Sequence, residues 1–131
     1  MSNISNYLAQ ALLNETLRNT NYVPPATLHV ALYTSNPTAA DTGTEVSGGA
    51  YARQAITFGA PAVEGGKQTV KNAEVVFPVA TADWGTVTHI GVRDAASAGN
   101  LLYFIALDNA RTILSGDRFR LLPDNVSVKI S

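Results

Sequence analysis

The chain has 131 residues, enough for one domain with a real core, and carries a net charge of −1 with 15% charged against 46% hydrophobic residues. Its nine lysines and arginines are scattered, so it lacks the basic stripe that displaces phosphate counterions, and nucleic acid is excluded as a partner. The absence of cysteine removes disulfides and thiolate metal sites, and no apolar run approaches the roughly 20 residues that span a bilayer, which excludes a membrane role.

Apolar residues at helical spacing open the chain. Ile4, Leu8 and Leu12 recur every four residues, Tyr7 and Ala11 widen the stripe, and Leu13 and Leu17 lie beside it. A helix is predicted over 3–18, with Ser2 as N-cap and the pair Pro24-Pro25 forbidding its continuation. No charged segment followed by an apolar one marks a secretory signal, so the chain reads as made in a cytoplasm.

After the prolines the period changes to two. In residues 27–34, Leu28, Val30 and Leu32 face one way and His29, Ala31 and Tyr33 the other. Residues 35–50 form a long loop of Asn, Pro, Thr, Asp and Gly, and a second strand is expected over 51–58. Gly65-Gly66 signals a turn, and further strands are expected near 69–77, 86–94, 101–107, 118–122 and 126–130. Many short strands between turn clusters indicate a mainly β protein: an antiparallel β-sandwich or jelly-roll-like domain over 1–131, with residues 1–25 as a helical arm and Pro-Pro linker before a β body of 26–131. The runs Ala40-Asp41-Thr42-Gly43-Thr44 and Ala82-Asp83-Trp84-Gly85-Thr86 echo each other, and read better as two independent Asp-Gly turns than as a duplicated hairpin.

Reaction chemistry is hard to find. The two histidines, His29 and His89, lie in separate predicted strands, whereas a metal site needs at least three converging ligands. Gly-x-Ser-x-Gly and Ser-x-x-Lys nucleophile motifs are missing, and Gly65-Gly66-Lys67 runs into Gln68 and a strand rather than a phosphate-binding helix. The acids sit mostly in turn contexts, where aspartate is expected for capping. These readings point to a non-enzymatic chain without metal or cofactor.

The segment from Thr44 to Gln54, which contains Gly48-Gly49-Ala50-Tyr51-Ala52-Arg53, resembles a family of small bacteriophage virion structural proteins often labelled tail fibre proteins. So do the stretch from Pro78 to His89 and the helix-then-Pro-Pro start leading to Leu32-Tyr33-Thr34. Asn100-Leu101-Leu102-Tyr103 and Ser115-Gly116-Asp117-Arg118-Phe119-Arg120 extend the resemblance over nearly the whole chain. It implies a virion β-domain, assembled in the host cytoplasm. The leading expectation is a capsid decoration or cement protein, a symmetric homo-oligomer such as a trimer held to the major capsid protein by many small contacts. A tail, baseplate or fibre-attachment component is the alternative, and a receptor- or glycan-binding module is a third reading. Tyr7, Leu8, Leu12 and Trp84 are the candidate partner-contact residues: the helix either closes one end of the sandwich or docks on a neighbouring subunit, and Trp84, a ring in a turn between strands, either anchors a partner or plugs the open end of the sandwich. Tyr51, Arg53 and Asp83 are candidate structural residues, and Arg53, the only charge in its predicted strand, could pair with Glu45 or Asp94.

Overall fold

Alternation of apolar and polar side chains carries most of the chain into strands, because a period of two lets one face of each strand enter a common core. A computed structural model describes residues 2–130. All strand pairing in it is antiparallel. One sheet has five strands in the order β1 (Ser2–Ile4), β8 (Leu101–Ile113), β7 (Gly85–Arg93), β2 (Leu28–Tyr33), β3 (Gln54–Ile56). Facing it are a three-stranded sheet, β10 (Ser127–Ile130), β5 (Lys67–Lys71), β4 (Ala62–Glu64), and a pair, β6 (Val75–Val76) with β9 (Arg120–Leu121). Val30, Leu32, Phe77, Val87, Ile90 and Phe119 form the heart of the core. The protein is thus an antiparallel β-sandwich with one helix near its N-terminus.

That helix, α1, spans Asn6–Arg18 rather than 3–18, and Ser5 rather than Ser2 caps it, its Oγ accepting the Leu8 N–H at 3.1 Å. Residues 2–4 go instead to the sheet edge, where they pair with Ile105, Phe104 and Tyr103 of β8. The ladder outweighs the modest helix propensity of this stretch, so part of the expected arm lies within the β body. The helix ends before the prolines: Asn19 adopts the left-handed conformation (φ 53°) and its N–H bonds to Asn14 O. The helix lies against β8, and Leu8 is its buried side chain.

Other boundaries move for tertiary reasons. In the 51–58 stretch only β3 and an isolated Phe58–Asn72 bridge pair regularly, because Tyr51 and Arg53 are committed to side-chain bonds described below. The 69–77 stretch is broken at the buried Asn72. Its Nδ2 donates to Ala73 O (2.7 Å) and Leu122 O (3.2 Å), and its Oδ1 accepts from Val126 N (2.8 Å). The 118–122 stretch shortens to β9, whereas β8 runs on to Ile113 with an irregularity: Val87 faces Arg111 but His89 faces Ala106. Gly65 and Gly66 (φ 61° and 78°) make the tight turn between β4 and β5, and β4 itself escaped the sequence reading.

In β2 the expected inward residues Val30 and Leu32 enter the core, yet Ala31 and Tyr33 are buried as well. Gly91 on β7 makes room for the Tyr33 ring: a Cβ there would come within 2.7 Å of Tyr33 Cε2 and of Leu101 Cδ1. The loop that carries Asp41 closes over this outer face.

Candidate interaction surface

The two sequence segments that carry most of the virion resemblance meet in space. Gly49 takes a positive φ of 58°, which places its carbonyl to accept the Trp84 indole N–H at 2.9 Å and the Thr81 N–H at 3.0 Å. A Cβ on Gly49 would lie 2.9 Å from the indole nitrogen, so the position requires glycine on both counts. Trp84 is 5% exposed. Its ring meets Tyr51 edge-on at 5.4 Å and Phe77 at 6.5 Å, and Phe77 in turn meets Phe119 at 5.7 Å.

Tyr51 links this cluster to an ion pair. Its hydroxyl accepts the Leu32 N–H (3.0 Å) and donates to Glu45 Oε2 (2.6 Å). Arg53 grips both Glu45 oxygens at 2.8 Å and turns Nη1 to Ala95 O (3.0 Å) and Ala98 O (2.8 Å). A second fork repeats the device: Arg93 binds both Asp41 oxygens (2.8 and 2.9 Å), the Tyr33 hydroxyl (2.8 Å) and Gly99 O (3.0 Å). Two bidentate arginines therefore fasten the 35–50 loop to the β7–β8 turn at one end of the sandwich.

These bonds set the protonation states. Burial alone would raise the Glu45 carboxyl, but hydrogen bonds from Arg53 and Tyr51 outweigh it and hold the group below its ordinary value. Burial first, then donation to Glu45, pushes the Tyr51 phenol far above its usual range. Arg93 loses hydration on burial, and the bonds to Asp41 and Tyr33 more than restore its charged form. A carboxyl with a depressed folded value stabilises fully above its unfolded value, near 4.5, and loses that contribution as pH falls through the folded one. Tyr51, shifted the opposite way, contributes fully below 10 and loses it above. Glu45→Gln is expected to cost about 1–3 kcal/mol at neutral pH. The gap in Tm from wild type should narrow as pH drops below about 4.5; a gap independent of pH from about 3 to 7 would assign the stability to packing alone.

The remaining candidate residues divide. Tyr7 is 42% exposed and Leu12 half-buried, so both keep surface to offer. Leu8 and Trp84 are only 4% and 5% exposed in the single chain: one anchors α1 on its own body and the other is core. Asp83 is exposed, and its Oδ1 accepts the Ser115 N–H at 2.9 Å, tying two turns together. Of the partners weighed for Arg53, Glu45 is the one it meets, while Asp94 accepts from Asn100 within its own turn. The echoed turns are unlike: Gly85 has φ 87° whereas Gly43 does not take a positive φ, and Asp41 binds Arg93 whereas Asp83 binds backbone. Nothing in the sequence marks the Arg93–Asp41 fork: the expected strand 86–94 ends in the adjacent charges Arg93 and Asp94, so Arg93 is not the lone charge that Arg53 is in its strand.

The histidines stay apart. His29 stands opposite Arg93 and His89 opposite Tyr33 in the β2–β7 ladder, four rungs or about 13 Å from one another. Among the described residues no group of three or more His, Cys, Asp or Glu is placed to hold a metal ion.

The fold leaves polar hollows, one of about 370 Å³ along Asp108, Arg111 and Arg120 and one of about 500 Å³ beside Glu45 and Arg53, and it leaves apolar ones. At the end of the sandwich marked by Leu28, Val92 and Ile130, the two sheets do not close, and a slot of about 320 Å³ remains. A second hollow, lined by Asn3, Ile4, Leu12, Tyr103, Lys129 and Ile130, continues it toward α1. On the helix itself Leu13 and Leu17 are 59% and 77% exposed.

A family model described as "Podophage GP4 fiber I protein gp80" matches residues 3–129. No curated protein is similar enough to the chain to count as a relative.

Proposed function

The chain belongs to the podophage GP4 fiber I protein gp80 family, and from that premise we propose that it is a building block of the particle's fibre, which works by holding protein neighbours and turns over no substrate. It is a phage virion structural protein, and its place is in the phage particle. The observation that carries the fibre reading is the extent of the match, which runs from β1 through β10 and takes in the helix, the clamped loops and the open end alike.

The chemistry of the surface supports an adhesive role. The strongest polar groups, Arg53 with Glu45 and Arg93 with Asp41, are spent on each other and on loop carbonyls, so they stiffen the domain. Trp84 is withdrawn into the core, which removes the exposed ring that favoured a glycan-binding module. Apolar side chains remain for neighbours: Leu13 and Leu17 on the helix and the slot at the open end. Multivalent adhesion through many copies then needs only a small contact on each.

Head decoration uses the same physics at a different address, and the two readings separate on the particle. Immunogold electron microscopy of intact virions, with antibody against this protein, is expected to label the fibre or its attachment point. Gold spread over the head would overturn the fibre reading and establish the decoration or cement role.

A further inference from the structure

We infer that the open end of the sandwich is the seat for a second copy of this chain, which inserts the Leu13–Leu17 ridge of its helix α1 into the apolar slot. The inference rests on the building-block reading and names the contact through which blocks join.

The first argument is area. A compact monomer of 13.8 kDa exposes about 6,600 Å², and this chain exposes 7261 Å². The excess of about 600 Å² approaches the roughly 800 Å² that each partner contributes to a standard protein interface. Exposed apolar side chains are spread over several places, Val23 (82%) and Val63 (68%) among them, and two apolar features of the surface, a slot and a ridge, are complementary. The slot is concave, and Gln68 and Tyr103 bring the only polar side-chain groups to a lining otherwise made of residues such as Leu28, Val70 and Val128.

The ridge is convex and belongs to the same chain. At 100° per residue, Leu13 and Leu17 lie about 140° and 180° around the helix from Leu8. Leu8 is the residue that docks α1 on its own body, so the helix cannot turn Leu13 and Leu17 inward without giving up that contact. Nor does the helix plug its own slot: Leu12, at its inner edge, reaches only the adjoining hollow with Ile4 and Ile130. One copy thus carries an unfilled groove and an uncovered two-leucine ridge at i and i+4, the pattern by which a helix docks in an apolar groove. Ridge into slot is a head-to-tail contact, which closes into a ring or continues as a filament according to the rotation it imposes.

The test is self-association of the full chain, a readout separate from where gold falls on the particle. Sedimentation velocity of purified wild type is expected to show an oligomer that dissociates on dilution. L13E/L17E, on the outer face of the helix, and I130E, at the rim of the slot where Ile130 is 55% exposed, should each sediment as a monomer with the circular dichroism spectrum and Tm of wild type. An equimolar mixture of the two variants keeps one intact ridge and one intact slot, and should recover a dimer and nothing larger. A wild type that stays monomeric at every concentration overturns the inference and gives the slot to a different virion protein. Oligomers that survive both variants, or a mixture that stays monomeric, overturn the pairing of ridge with slot.

Discussion

Replacing Trp84 with alanine is expected to cost about 3–5 kcal/mol, the range for deleting a large aromatic from a core, and to lower Tm by roughly 10–20 °C. Three losses combine. The cavity opens between Tyr51 and Phe77, the edge-on ring contacts vanish, and Gly49 O keeps the Thr81 N–H but loses the indole donor. Trp84→Phe should retain much of the packing and lose the hydrogen bond, at about 1–2 kcal/mol. Urea denaturation followed by circular dichroism measures both. Trp84 is the sole tryptophan, so wild-type fluorescence should be blue-shifted when folded and move to the red in the same transition. An alanine variant within about 1 kcal/mol of wild type would show that the cluster is not a structural centre.

Arg93→Ala is the other large effect. The guanidinium is nearly buried, with its side chain 8% exposed, while Asp41 keeps 35% of its side chain in water. Removing one partner of a buried pair costs about 3–5 kcal/mol, and solvent around Asp41 places this case at about 3. Beyond the charge, the variant abandons the Tyr33 hydroxyl and the Gly99 carbonyl. Arg93→Lys should recover only a part, because an ammonium cannot span both Asp41 oxygens and these two groups at once. Hydrogen exchange gives a readout specific to the clamp: protection should fall first in residues 35–50 and 94–100, ahead of β7 and β8. Uniform loss of protection, or a variant as stable as wild type, would remove the clamp from the account.

Both effects concern pairs whose members are distant in sequence, and this is where sequence reading met its limit. Arg53 could be suspected of pairing because a lone charge in a strand needs a partner, and Glu45 lies only eight residues away. Arg93 and Asp41 are 52 residues apart and Trp84 and Gly49 35 apart, and no local pattern brings them together. Trp84 is the clearest case. A tryptophan in a turn between strands reads equally as an exposed anchor or as a plug, and the turn, with Thr81 N–H bonded to Gly49 O and Trp84 N–H to Ile113 O, carries the ring into the core. The boundary errors share this cause. Residues 2–4 have helical spacing but are taken by the β8 edge, and the run 69–77 has strand composition but is cut at Asn72, whose amide holds three backbone segments.

The sequence by itself determined the class of the protein. A period of two repeated through short turn-bounded segments admits a sandwich and little else, the missing cysteines and scattered charges closed off whole families of chemistry, and the ordered motifs pointed to a phage virion. Those features are local or compositional, and a linear chain displays them directly. Only the tertiary structure decided which surface is free. Whether Leu8 or Leu13 faces water, whether Trp84 anchors a neighbour or fills the core, and whether an arginine is spent on its own loops all depend on what the fold packs against each side chain. Burial belongs to the assembled chain, and the residues left over after packing are the ones that a fibre protein can offer to its neighbours.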